Sequence, residues 1–76
     1  MNFDIKDFIP GCSFKVFYGQ DNPNNRTYHI RGIVDDYIIC RSWNKHKKQW
    51  CYELYSPFLI EFLIKEGAIK RLKKGE

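Results

Sequence analysis

Tyr28-His29-Ile30-Arg31-Gly32-Ile33-Val34, Asp35-Asp36 and Tyr37-Ile38-Ile39-Cys40-Arg41-Ser42-Trp43 decide the fold. After Asn44-Lys45-His46-Lys47 comes a third run of the same kind, Lys48-Gln49-Trp50-Cys51-Tyr52-Glu53-Leu54-Tyr55. β-Branched and aromatic residues fill each run and polar clusters separate them, which predicts a three-stranded antiparallel meander from Arg26 to Tyr55. A turn at Asp35-Asp36 sets Val34 against Tyr37, Gly32 against Ile39, Ile30 against Arg41 and Tyr28 against Trp43. A second turn centred on Lys45-His46 sets Tyr37 against Leu54, Ile39 against Tyr52, Arg41 against Trp50 and Trp43 against Lys48. Neither turn carries Asn-Gly or Asp-Gly, so each is expected to be longer or bulged.

Alternation sorts these residues into two faces. Tyr28, Ile30, Val34, Tyr37, Ile39, Trp43, Trp50, Tyr52 and Leu54, with Gly32 and Arg41, form the face expected to be core. The opposite face (His29, Arg31, Ile33, Ile38, Cys40, Ser42, Gln49, Cys51, Glu53, Tyr55) is more polar. Gly32 within the expected core face marks a bend or a close backbone approach.

On either side of the meander the punctuation is clear. Phe3, Ile5, Phe8 and Ile9 lie in a lead-in over residues 1–10, a short helical turn or extended segment ended by Pro10-Gly11. Cys12 to Tyr18 alternates as a strand. Gly19-Gln20-Asp21-Asn22-Pro23-Asn24-Asn25 is polar, turn-rich and expected to be the least ordered stretch. Ser56-Pro57 opens a helix, Ser as N-cap and Pro at the first helical position, and Gly67 stops it. Phe58, Leu59, Ile60, Phe62, Leu63 and Ile64 make that helix apolar almost all round, so it is expected either to plug the sheet or to form a homodimer contact. Ala68 to Leu72 reads as a last strand, and residues 73–76 as a frayed tail. Residues 1–76 thus read as a single small, mainly β domain.

The carriers of a family likeness are Gly11-Cys12-Ser13-Phe14-Lys15-Val16, Gly32-Ile33-Val34 and Tyr52-Glu53-Leu54, in the order strand, long loop, meander, helix, strand. That order resembles an SH3-like small β-barrel of the Tudor, chromo-barrel and KOW kind. The resemblance implies five strands in a small barrel with a helix before the last strand. An OB-like barrel is the alternative, although it places its helix earlier.

Composition narrows the function. The 76 residues carry a net charge of +4, a basic balance that favours polyanions or acidic partners. An apolar run of membrane-spanning length and a signal-peptide pattern are both missing, so a soluble cytoplasmic protein is expected. The three cysteines lack metal-ligand spacing; the expected register sets Cys40 opposite Cys51, a conceivable cross-strand disulfide, but free thiols fit better. His29 and His46 fall on different elements, Asp35-Asp36 reads as a turn, and there is no phosphate-cradling glycine loop. A non-enzyme without cofactor or metal is therefore expected.

The strongest functional candidate runs from Arg41 to Trp50. Arg41, Lys45, His46, Lys47 and Lys48 supply cations, while Trp43 and Trp50 supply flat rings; cations track phosphates and rings stack bases, which points to DNA or RNA. Lys70, Arg71, Lys73 and Lys74 form a second basic group. The competing reading makes the lysines a solvated turn and the tryptophans core, with Arg41 stacked on Trp50. An aromatic cage from Tyr18, Tyr28 and Trp43 is a weaker reading. The functional alternative is a protein-interaction or inhibitor module that meets an acidic or apolar protein surface, for example a small phage or mobile-element protein docking on a host or defence complex.

Overall fold

The computed structural model describes residues 4–74; Phe3 of the lead-in and residues 75–76 of the tail lie outside them. A short 3₁₀ turn (Ile5–Asp7) leads into β1 (Ser13–Val16), β2 (Thr27–Val34), β3 (Tyr37–Asn44), β4 (Gln49–Tyr55), helix α1 (Pro57–Lys65) and β5 (Ile69–Lys73). The strands form one antiparallel sheet in the order β4-β3-β2-β1-β5. The expected fold class holds: mainly β, five strands, a short helix before the last one. Lys73 is the last residue of β5 rather than part of a tail.

The first hairpin begins in the expected register, Val34 opposite Tyr37 and Gly32 opposite Ile39. Its turn is tight: Asp35 and Asp36 both take positive φ, 51° and 69°. That is the backbone of a two-residue type I′ turn, built here from two aspartates rather than Asn-Gly. Then the register shifts. Ile30 pairs with Cys40 and His29 with Arg41, leaving Arg31 as an extra residue in a β-bulge. The expected pairings of Ile30 with Arg41 and Tyr28 with Trp43 therefore do not form. The bend foreseen at Gly32 lies beside it, and Gly32 is not demanded by space, since a Cβ there would meet Ile39 only at 4.0 Å.

The second hairpin differs by two residues. Asn44 pairs with Gln49, so Trp43 faces Trp50, Arg41 faces Tyr52 and Ile39 faces Leu54. Asn44 causes the shift: its Oδ1 accepts from the backbone N–H of His46 and of Lys47, both at 3.0 Å. Lys48 then turns the chain back with φ 54°. Cys40 consequently faces Glu53 and Cys51 faces Ser42, and all three cysteines are free thiols. The conceivable Cys40–Cys51 bridge is thus not formed.

The bulge also exchanges the faces. The core holds Tyr28 and Ile30 together with Ile38, Cys40 and Tyr55, closed by Phe8, Phe14, Val16, Ile60, Leu63 and Ile69. Ser42 is fully buried beside them. Val34, Tyr37, Trp43, Trp50, Tyr52 and Leu54, expected inside, are exposed. In the core, Phe14 stacks on Tyr28 with ring centroids 5.5 Å apart, and Tyr55 tilts against both.

Helix α1 starts and stops as the sequence dictates. Ser56 Oγ accepts from the Leu59 N–H at 3.1 Å. At the other end Gly67 (φ 73°) donates to Ile64 and Ala68 to Leu63, a Schellman closure. The helix covers the core with Ile60 and Leu63, whereas Phe58, Leu59 and Phe62 face outward. It therefore plugs the sheet with one face only.

The loop over residues 19–25 is pinned rather than loose. The Asn25 side chain accepts from Tyr18 N–H and donates to the Gly19 carbonyl, Asn22 Oδ1 accepts from Asn24 N–H, and Tyr28 Oη donates to the Asn24 carbonyl. Arg26 Nε donates to the Pro23 carbonyl and Nη1 to Ser42 Oγ, which also satisfies that buried hydroxyl.

Two predictions follow from this packing. Ile60→Ala should lower unfolding free energy by about 2–5 kcal/mol in denaturant titrations, while Phe58→Ser, at 83% exposure, should change it by no more than about 0.5 kcal/mol. The second concerns alkaline pH. Burial, assisted by Glu53, pushes the Cys40 thiol up to about 12 from its ordinary 9.0. Burial likewise raises the Tyr28 and Tyr55 phenols. Below pH 9 both folded and unfolded chains keep the Cys40 proton; above it the unfolded chain loses its proton first. Stability should thus fall between pH 9 and 12 by about 1.4 kcal/mol per pH unit for this thiol. Denaturant midpoints across that range should show a shallower decline in Cys40→Ala.

Candidate functional site

The face the bulge turns outward carries a mixed basic and aromatic surface. Across all five strands one row reads Lys73, Ser13, His29, Arg41, Tyr52, each residue directly paired with the next. Beside it, Arg71 pairs with Lys15, Lys15 with Thr27, and Trp43 with Trp50. Side chains paired across neighbouring strands share a face, so the β1–β5 half is basic and the β3–β4 half aromatic. Among the described residues, no Asp or Glu occupies an outward position on these rows.

The aromatic half is locally ordered. The Arg41 guanidinium carbon lies 4.1 Å from the Trp50 ring centroid. The Trp43 ring meets Trp50 edge-on, with centroids 5.4 Å apart, and the His29 ring does so at 6.0 Å. A cation over an indole contributes about 0.5–2 kcal/mol depending on desolvation, enough to hold Arg41 in place. Ser13 Oγ and His29 Nδ1 share a 2.8 Å hydrogen bond that fixes the imidazole. Trp43 is nonetheless 47% exposed, Trp50 42% and Tyr52 60%. The reading of both tryptophans as core is therefore corrected, and the stacking of Arg41 on Trp50 is found on the outer surface.

Lys45, His46, Lys47 and Lys48 are all exposed on the β3–β4 hairpin, at the end of the two strands that carry Trp43 and Trp50. Between this hairpin, the start of β2 and the 19–25 loop lies a cleft of about 560 Å³, bordered by Asp21, Asn25, Arg26, His29, Trp43 and His46. Both histidines thus border one cleft, although His29 comes from β2 and His46 from the β3–β4 turn. A smaller cleft of about 250 Å³ is lined by Ser13, His29, Arg31, Arg41 and Trp50.

The second basic group divides. Arg71 and Lys73 join the outer face through their pairing with Lys15 and Ser13. Lys70 sits at the irregularity between β1 and β5, with its Nζ 6.0 Å from the Phe17 ring centroid. Lys74 is exposed beyond the end of β5. Tyr18, Tyr28 and Trp43 do not form a cage: Tyr28 is buried, Tyr18 Oη approaches Tyr55 Oη at 3.4 Å, and Trp43 is on the outer face. Among the described residues, no group of three or more His, Cys, Asp or Glu is placed to hold a metal ion, and no helix is long and apolar enough to cross a membrane.

Sequence reasoning did not include Ser13, Lys15, His29, Arg31 and Tyr52 in the site. The alternation of Lys15 between Phe14 and Val16, and of Arg71 and Lys73 around Leu72, already assigned these cations to one side of their strands. Only the register of β1 with its two neighbours brings them onto the sheet face that carries Trp50.

Comparison with models of protein families, with curated proteins and with solved structures finds no match to this chain.

Proposed function

We propose that the chain is a small non-catalytic nucleic-acid-binding module that works in the cytoplasm. It uses the outer face of its sheet together with the Lys45–Lys48 hairpin. The observation that supports this reading is the exposed Trp43–Trp50 pair, with Arg41 over it and Lys15, Arg71 and Lys73 across the same face, whose paired rows carry no Asp or Glu among the described residues. Cations neutralise phosphates and release counterions, and rings stack bases; a face offering both is suited to a polynucleotide. Three free cysteines accord with a reducing compartment.

A second reading rests on α1. Phe58, Leu59 and Phe62 stand exposed on its outer face at 83%, 38% and 56%, a surface suited to an accessory or inhibitor protein docking on an apolar protein surface, or to a homodimer.

Fluorescence anisotropy with labelled DNA and RNA across a salt series tests the first reading. Binding should weaken steeply with salt. Joint replacement of Lys45, Lys47 and Lys48 by Glu should weaken it by about tenfold or more, with an unchanged denaturation midpoint. Trp43→Ala should cost about 1–3 kcal/mol of binding if the ring stacks a base. No binding at low salt would overturn the reading in favour of the helix surface, for which doubled mass in sedimentation, abolished by Phe58→Asp, is the expected sign of a homodimer.

A further inference from the structure

The smaller cleft holds two arginines that have no ion-pair partner among the described residues. Arg31 is the extra residue of the β2 bulge. A bulged residue is released from the ladder, and bulges commonly serve to re-aim a side chain; this one places Arg31 on the cleft wall with Arg41, His29, Ser13 and Trp50. Arg41 reaches the same wall from β3. Its Nε is buried and has no hydrogen-bond partner. Among the described residues, the ion pair found is Lys6–Asp4, remote from both arginines in sequence and on the lead-in. Two guanidinium groups, an imidazole and a hydroxyl therefore line a space of about 250 Å³. At ~30 Å³ per water this is room for a tetrahedral oxyanion with several waters.

Guanidinium forks match phosphate oxygens bidentately, and exposed Arg31 and half-buried Arg41 bring two of them to one wall. The surroundings say what carries the anion. Trp50 forms part of the wall and also supports Arg41, while Trp43 and Tyr52 flank it on the same face. Rings exposed next to a phosphate site are of use to a chain whose bases are free to leave their neighbours; in a duplex the base faces are already stacked.

Building on the nucleic-acid reading above, we propose that this cleft seats one backbone phosphate of a single-stranded polynucleotide, whose flanking bases stack on Trp43, Trp50 and Tyr52. The strand then crosses the sheet toward Lys15, Arg71 and Lys73, which meet the following phosphates.

The test titrates the intact protein with unlabelled oligothymidylate, oligouridylate and a duplex of equal length, following intrinsic tryptophan emission and competition against a labelled oligomer. The single strands should quench the tryptophans and bind at least tenfold more tightly than the duplex. Arg31→Ala, at an exposed position, should flatten the dependence of log affinity on log salt by about 0.7, the share of one single-strand phosphate. Arg41→Lys keeps the charge but removes the fork, and should still lose affinity. A duplex bound as tightly as the single strand, or wild-type affinity and salt slope in both variants, would overturn this site and leave nucleic-acid binding standing. Absence of binding to any of the three at low salt would overturn both. If inorganic phosphate at matched ionic strength raises the melting temperature as much as the oligomer does, the cleft is a free-phosphate site and the strand assignment fails.

Discussion

The side chains of a strand alternate between two faces, and β2 breaks that alternation once, at Arg31. Before the bulge, Tyr28 and Ile30 point into the molecule; after it, Val34 points out. One extra residue thus lets the first half of β2 share a core with β1 while its second half continues the β2–β3 hairpin. The same residue bends the strand, and the residues before it pack with Phe8 and Phe14 in one core. Remove the bulge and the inward residues of one half become outward residues of the other.

That single offset divides the aromatic residues into two populations with different work. Phe8, Phe14, Tyr28 and Tyr55 pack ring against ring in the interior. Trp43, Trp50 and Tyr52 are displayed. A chain of 76 residues has a small interior, and the helix, lead-in and β1 already fill it with Ile60, Leu63, Phe8, Phe14 and Val16. β3 contributes only Ile38, Cys40 and Ser42 to it, none of them a ring. The larger rings of the meander are left for the surface, where Arg41 and the lysines accompany them.

Local chemistry was legible in the sequence and offsets between strands were not. Ser56-Pro57 and Gly67 bounded the helix because capping depends on a few adjacent residues. Asp35-Asp36 marked its turn, though two adjacent aspartates with positive φ gave no sign of how tight that turn is. The second hairpin was misjudged by two residues because Asn44 organises its loop through a side chain, and Lys48, not glycine, adopts the left-handed backbone. The core face of β3 and β4 was misassigned because the bulkier, more apolar face looked like the interior, whereas the buried residues Ile38, Cys40, Ser42 and Tyr55 share their face with polar side chains. Arg41, Trp43 and Trp50 were recognised as a basic and aromatic group from their own segment. Lys15 and His29 were not, since their place beside that group follows from pairings between strands distant in sequence.

The sheet has two open edges, and they are unlike. β5 carries Lys70, Arg71 and Lys73 along its five residues. Charge of one sign on an edge strand resists the approach of a second copy of itself. β4, at the other edge, has no lysine or arginine within Gln49–Tyr55, and Glu53 is its single charge. Its outward residues are Trp50, Tyr52 and Leu54. Unguarded backbone and apolar side chains therefore coincide on one margin of the molecule. A second strand laid along β4 would meet none of the cations that guard β5.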